Sequence, residues 1–163
     1  MQKGEISLAS IKNLEKNLIM SLNLMTSQML DYNSKRSDYE NWISFTLILN
    51  SPDKNYKIDE IEKGEMTVFE TKNLLNGIKN LLNHLENNKR FIYKFNSSEA
   101  FFDLELEGIP EDDLIEIILW INIGSQTQGK LYGFDKGVRF ATDKEGLGTF
   151  LSEINEDNLN LGI

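Results

Sequence analysis

The sequence predicts an α+β domain: an antiparallel β-sheet with two helices packed on one face. Three observations carry this. Apolar and polar residues alternate with period two in several short segments. Two other segments, after Thr71 and after Asp143, repeat apolar residues at helical spacing. The links between the strand-like segments are short enough for hairpins, so the order is strands, helix, strands, helix. At 163 residues the chain reads as one domain, 1–163, with 1–16 peripheral or irregular.

The elements follow in order. In the N-terminal third Leu18, Met20, Leu22 and Leu24 alternate, which favours a strand over 17–28. The set Leu8, Ile11, Leu18, Leu22, Met25 and Met29 also fits a helical stripe. The polar segment 31–41 reads as a hairpin loop. Ile43, Phe45, Leu47 and Leu49 then alternate with Ser44 and Thr46, a strand over 42–50. Residues 51–64 are turn-rich, and Gly64 precedes a short strand at 65–69. Thr71 is placed to cap a helix over 72–87 whose stripe is Leu74, Leu75, Ile78, Leu81, Leu82 and Leu85. Gly77 should weaken that helix by roughly 1 kcal/mol relative to alanine. Asn87-Asn88 supplies the stop, because asparagine tolerates the left-handed cap.

Three strands come next. Phe91, Tyr93 and Phe95 alternate on the first, 100–107 is the second, and 114–123 is the third. The last is apolar almost throughout, which reads as a central strand covered on both faces. Gly129, Gly133 and Gly137 break up a loop. A final strand lies around 137–142. Asp143 is placed to cap a closing helix with Leu147, Phe150, Leu151 and Ile154 inward.

Composition narrows the function. The formal net charge is −9, so binding to a nucleic-acid backbone or an anionic membrane surface is disfavoured. With no cysteine and one histidine, His84, thiolate and histidine-rich metal sites are excluded. No stretch approaches a membrane span or a secretion signal, so cytoplasmic residence is expected. No phosphate-cradling glycine motif is present. His84 reads as a helix-end residue meeting the C-terminal dipole rather than as part of a triad. No catalytic residue, metal or cofactor is expected.

One segment stands out. Between Lys94 and Lys130 there is no basic residue but there are eight acids: Glu99, Asp103, Glu105, Glu107, Glu111, Asp112, Asp113 and Glu116. Acids at 103, 105 and 107 alternate with Phe102, Leu104 and Leu106, so one strand face is anionic and the other apolar. If 108–113 forms a symmetric loop, Leu106 pairs with Ile115, Leu104 with Ile117 and Phe102 with Leu119. Glu105 then stands opposite Glu116, a repulsion of about 1 kcal/mol in water. Two readings stay open. The acids keep the sheet soluble and guard its edge, or they form, with Phe101 and Trp120, a surface for a basic protein partner. The candidate partner-binding set is Phe101, Asp103, Glu105, Glu107, Glu116 and Trp120.

The layout also resembles a known family. Asp38-Tyr39-Glu40-Asn41-Trp42-Ile43 leads into an alternating strand, and Glu65-Met66-Thr67-Val68 leads into the leucine-rich helix. Glu99 opens a strand, a long apolar strand follows, and Phe140, Asp143 and Leu147 mark the last helix entry. Over about 17–155 this is similar to the WapI-like immunity proteins of bacterial polymorphic toxin systems. The resemblance implies a non-enzymatic protein that occludes a toxin domain, often a nuclease whose cleft is basic. The competing classes are a small-ligand protein or weakly marked hydrolase, which needs a pocket with converging polar groups, and a structural or assembly subunit, for which a homo-oligomer would argue.

Overall fold

A computed structural model describes residues 8–24, 32–58, 64–124, 134–160 and 162. Its longest early strand, β3 (Trp42–Asn50), organises the first half. Along one edge it pairs with β2 (Ile19–Leu24), which pairs in turn with β1 (Ala9–Lys12). Along its other edge β4 (Asn55–Ile58) takes one end and β5 (Glu65–Thr67) the other. The Phe45 amide bridges the gap by donating to the Gly64 carbonyl at 2.9 Å. A second sheet follows in the order β6 (Phe91–Asn96), β7 (Phe102–Ile109), β8 (Leu114–Asn122) and β9 (Asp135–Thr142). All pairings are antiparallel.

The α+β class and the antiparallel pairing are as the sequence predicts, but the strands divide into two sheets. The strand expected at 17–28 is β2 over 19–24, and 25–28 lie outside the described residues. The strand at 42–50 holds to the residue. In the segment expected to be irregular, 9–12 form β1 with Ala9 and Ile11 buried. β4 lies in the segment expected to form turns. Only Ile58 of its four residues is buried, so it carries no alternation to detect. The loop around Gly129 and Gly133 falls outside the described residues, whereas Gly137 lies within β9.

Helix α1 (Val68–Glu86) is capped by Thr67, not by Thr71. The Thr67 hydroxyl accepts from the Glu70 amide at 3.1 Å, and the Glu70 carboxylate accepts from the Thr67 amide at 2.7 Å. This reciprocal pair is the capping box, and the Thr-x-x-Glu spacing signals it. Thr71 is buried in the first turn and donates to the Thr67 carbonyl. The helix ends at Asn87, with Asn88 left-handed at φ 55°, as predicted. Gly77 is no defect: a Cβ there would collide with the Tyr93 ring, so its absence lets α1 approach β6. Helix α2 (Lys144–Asn160) starts as expected, with the Gly146 amide donating to Asp143 Oδ1 at 2.7 Å.

Helix α1 packs against β5, β6 and β7, and α2 packs against β1, β2 and α1. Buried side chains of both sheets and both helices join one apolar cluster. Phe45 of the first sheet meets Phe102 of the second edge-on, with ring centroids 5.4 Å apart. Each fully buried aliphatic or aromatic side chain in such a core is worth about 1.5–3 kcal/mol.

Candidate partner-binding face

The β7–β8 hairpin separates two chemistries. Phe102, Leu104 and Leu106 of β7, with Ile115, Ile117, Leu119 and Ile121 of β8, point into the core. Asp103, Glu105 and Glu107 share the opposite, outer face with Glu116, Ile118 and Trp120. Strand β8 is therefore central in its sheet but, among the described residues, covered on one side only. Its outer residues are half-buried, and Trp120 is 46% exposed. No described helix lies across this face.

The register differs from the symmetric-loop expectation by two residues. Leu106 pairs with Ile117, Leu104 with Leu119 and Phe102 with Ile121. The turn is tighter than a symmetric 108–113 loop. A 3-10 turn (Pro110–Asp112) and a left-handed Asp113 (φ 51°) connect Ile109 directly to its partner Leu114. A two-residue shift leaves every side chain on its face, so the wall survives while the pairs change. Glu107, not Glu105, stands opposite Glu116. Glu105 faces Ile118, and Asp103 faces Trp120.

Cations from either side of the hairpin relieve the like-charge pair. Arg90 Nε and Nη2 reach Glu107 Oε1 at 2.6 and 2.5 Å. The hydrogen bond with Glu107, reinforced by the fields of Glu107, Glu111 and Glu116, holds the Arg90 guanidinium above its ordinary pKa. Arg139 Nε lies 3.6 Å from Glu116 on the other side. Lys94, directly opposite Glu105, bridges it at 2.8 Å. Lys144 bridges Asp113 at the hairpin tip, at 2.7 Å. Exposed pairs of this kind add little stability, about 0.2–1 kcal/mol each. Their consequence is electrostatic: the wall is patterned, not uniformly anionic. These cations do not lie within the basic-free stretch, so a scan of that stretch passes over them. The signal available in the sequence is the alternation along β6. Phe91, Tyr93 and Phe95 point inward, so Lys94 points out.

Of the four wall acids only Asp103 has no charged or hydrogen-bonding partner among the described residues. It stands opposite Trp120 and lines a cavity of about 190 Å³ with Ser97, Ala100, Asn122 and Asp135. Trp120 packs across the ladder onto the next strand. Its direct neighbour on β9 is Gly137, where a Cβ would come within 2.5 Å of the indole, so the ring lies over the glycine.

The remaining sequence-predicted residues are dispersed. Glu111, Asp112 and Asp113 sit at the hairpin tip, and Glu99 sits in the β6–β7 loop at the far end. Phe101 does not present its ring on the wall. Left-handed Ala100 (φ 54°) turns the chain, and Phe101 packs edge-on against Phe45 at 5.8 Å. His84 stacks on Phe91, centroids 4.3 Å apart, with Nδ1 2.7 Å from the Asn80 carbonyl oxygen. A second concavity, which the sequence does not announce, is a groove of about 590 Å³ lined by Tyr39, Trp42, Phe69 and Phe95. Tyr39 and Phe69 stack there at 4.1 Å.

No helix among the described residues is long and apolar enough to cross a membrane. No curated protein and no solved structure matches the chain. A family model described as the immunity protein WapI-like family matches residues 13–159, nearly the whole length. On that match the chain belongs to the WapI-like immunity protein family.

Proposed function

We propose that this chain protects its cell by binding a cognate toxin domain through the outer face of β6–β9, with Asp103, Glu105, Glu107, Glu116 and Trp120 in the contact. Membership of an immunity family supplies the class of partner. The single observation that carries the choice of face is Trp120: a large aromatic, 46% exposed, braced over Gly137 and flanked by carboxylates. Rigid exposed aromatics are the residues that anchor protein interfaces. Phe101 supports the wall from the core side.

The bridging cations modify how charge would act. Locally Arg90, Lys94 and Arg139 offset three of the four wall acids. At longer range the net charge of −9 leaves the whole molecule's field negative, which speeds encounter with a basic, nuclease-like domain. Steering thus belongs to the molecule and register to the face. The binding itself needs no chemistry on the toxin: occlusion of a cleft suffices.

The test replaces Asp103, Glu105, Glu107 and Glu116 together by their amides and measures calorimetric affinity for the cognate toxin domain. The variant should fold and bind roughly a hundredfold more weakly. It should not melt higher than the parent, because Arg90, Lys94 and Arg139 lose their partners. Undiminished affinity would remove this face from the contact.

A further inference from the structure

The outer face is polarised along its strands. At the hairpin-tip end Glu105, Glu107, Glu116 and Asp113 are each bridged by a lysine or arginine. At the other end Asp103 and Asp135 meet no cation among the described residues. The nearest lysine in sequence, Lys136, lies on the opposite side of β9, paired with core-facing Ile121. Its Nζ is directed to the Tyr56 ring at 5.7 Å. Among the described residues, the acids of the tip end are matched by cations and those of the Trp120 end are not.

We infer that the Trp120 end receives one arginine side chain projecting from the bound partner. This rests on the partner-binding role proposed for the face and specifies what part of the partner it takes. Three features fit arginine. The exposed face of Trp120 is a platform on which a planar guanidinium stacks, and its support on Gly137 keeps that platform in place. Asp103 stands directly opposite Trp120 across the ladder, and Asp135 lies diagonal to it, opposite Asn122. Carboxylates so placed accept the in-plane N–H groups of a stacked guanidinium, which an ammonium point charge cannot satisfy in the same way. Finally, the cavity of about 190 Å³ is smaller than ordinary small-molecule sites and has room for a single side chain. Charge complementarity therefore selects the occupant, and the cavity limits it to one residue.

The experiment uses the full chain carrying Trp42→Phe, so that one indole N–H signal reports Trp120 by NMR. The probe is the tripeptide acetyl-Gly-Arg-Gly-amide, titrated into the millimolar range. Its comparison is the same peptide with citrulline, which keeps the shape and loses the charge. The arginine peptide should shift the Trp120 signal saturably, and the citrulline peptide should bind roughly tenfold more weakly or not at all. Asp103→Asn with Asp135→Asn should weaken the arginine peptide roughly tenfold. Glu111→Gln with Asp112→Asn, the same change in net charge at the hairpin tip, should leave it unchanged. Equal binding of the two peptides, no saturable shift, or an equal loss in both double variants would overturn the assignment. Because no toxin is present, that failure is separate from failure of the face as the toxin contact, which the four-amide variant reads.

Discussion

The two faces of the β7–β8 hairpin are built from adjacent residues of the same strands, yet different physics governs them. The inner face is closed: Leu104, Leu106, Ile117 and Leu119 are at most 3% exposed and belong to the shared apolar core, where β7 packs against α1. The outer face is half open, and its largest side chain, Trp120, rests on a glycine. Burial makes the inner face answer to volume, because a removed methyl group leaves a cavity that close packing cannot fill. Exposure leaves the outer face's ion pairs screened by solvent and energetically small, so its side chains contribute little to folding. Stability and the proposed recognition are thus separated by one residue step along a strand.

That separation can be broken deliberately. The largest effect is expected from Ile117→Ala, which should cost about 2–5 kcal/mol by urea denaturation. It should weaken partner binding only to the extent that the folded fraction falls. Next is Tyr93, on the inner side of β6, where its hydroxyl donates to the Asn73 carbonyl at 3.0 Å. Burial pushes its pKa up to about 12, from an ordinary value of 10.0. The neutral phenol is the form the fold favours, so its contribution is intact below pH 10 and lost as pH rises towards 12. Tyr93→Phe should flatten that alkaline decline in a pH series of melting temperatures.

On the outer face the order of consequences reverses. Trp120→Ala should change stability by less than about 1 kcal/mol but cost about 2 kcal/mol or more of binding to the toxin domain. Loss of stability without loss of affinity would place the indole in the inner face's category. Smallest of all, Lys94→Gln removes the cross-strand bridge to Glu105 at a cost of about 0.2–1 kcal/mol at most. A larger loss in low salt would show that the bridged end holds the sheet together as well as patterning its charge.

Much of this is legible in the chain. The alternation at 42–50, at 91–95 and at 102–107 locates three strands, and the leucine stripe locates α1. The membership of the acidic wall is legible too, because Asp103, Glu105, Glu107, Glu116 and Trp120 share a face in any register differing by an even number of residues. Phe101 is not, since its ring leaves the wall through a backbone turn at Ala100, where no side-chain pattern reports φ. The start of α1 is written in Thr67-x-x-Glu70, one helical turn before the Thr71 cap that the leucine stripe suggests. Glu70 also accepts from the Ser98 amide at 2.6 Å, tying the helix start to the β6–β7 loop, a contact between residues distant in the chain.

Along β3, β6 and β7 the sequence by itself determined which residues lie in and which lie out, because successive side chains on a strand point to opposite faces whatever the strand pairs with. It determined the net negative charge and the helix stripe for the same local reason. Only the tertiary structure decided that β4 and β5 share one edge of β3, that the strands form two sheets, and that Glu107 faces Glu116. It alone brought Arg90, Lys94 and Arg139 against three of the wall acids and left Asp103 beside Trp120. A shift of two residues preserves every hydrophobic contact class, so composition and periodicity cannot choose between registers. The backbone of one tight turn, with Asp113 left-handed, makes that choice.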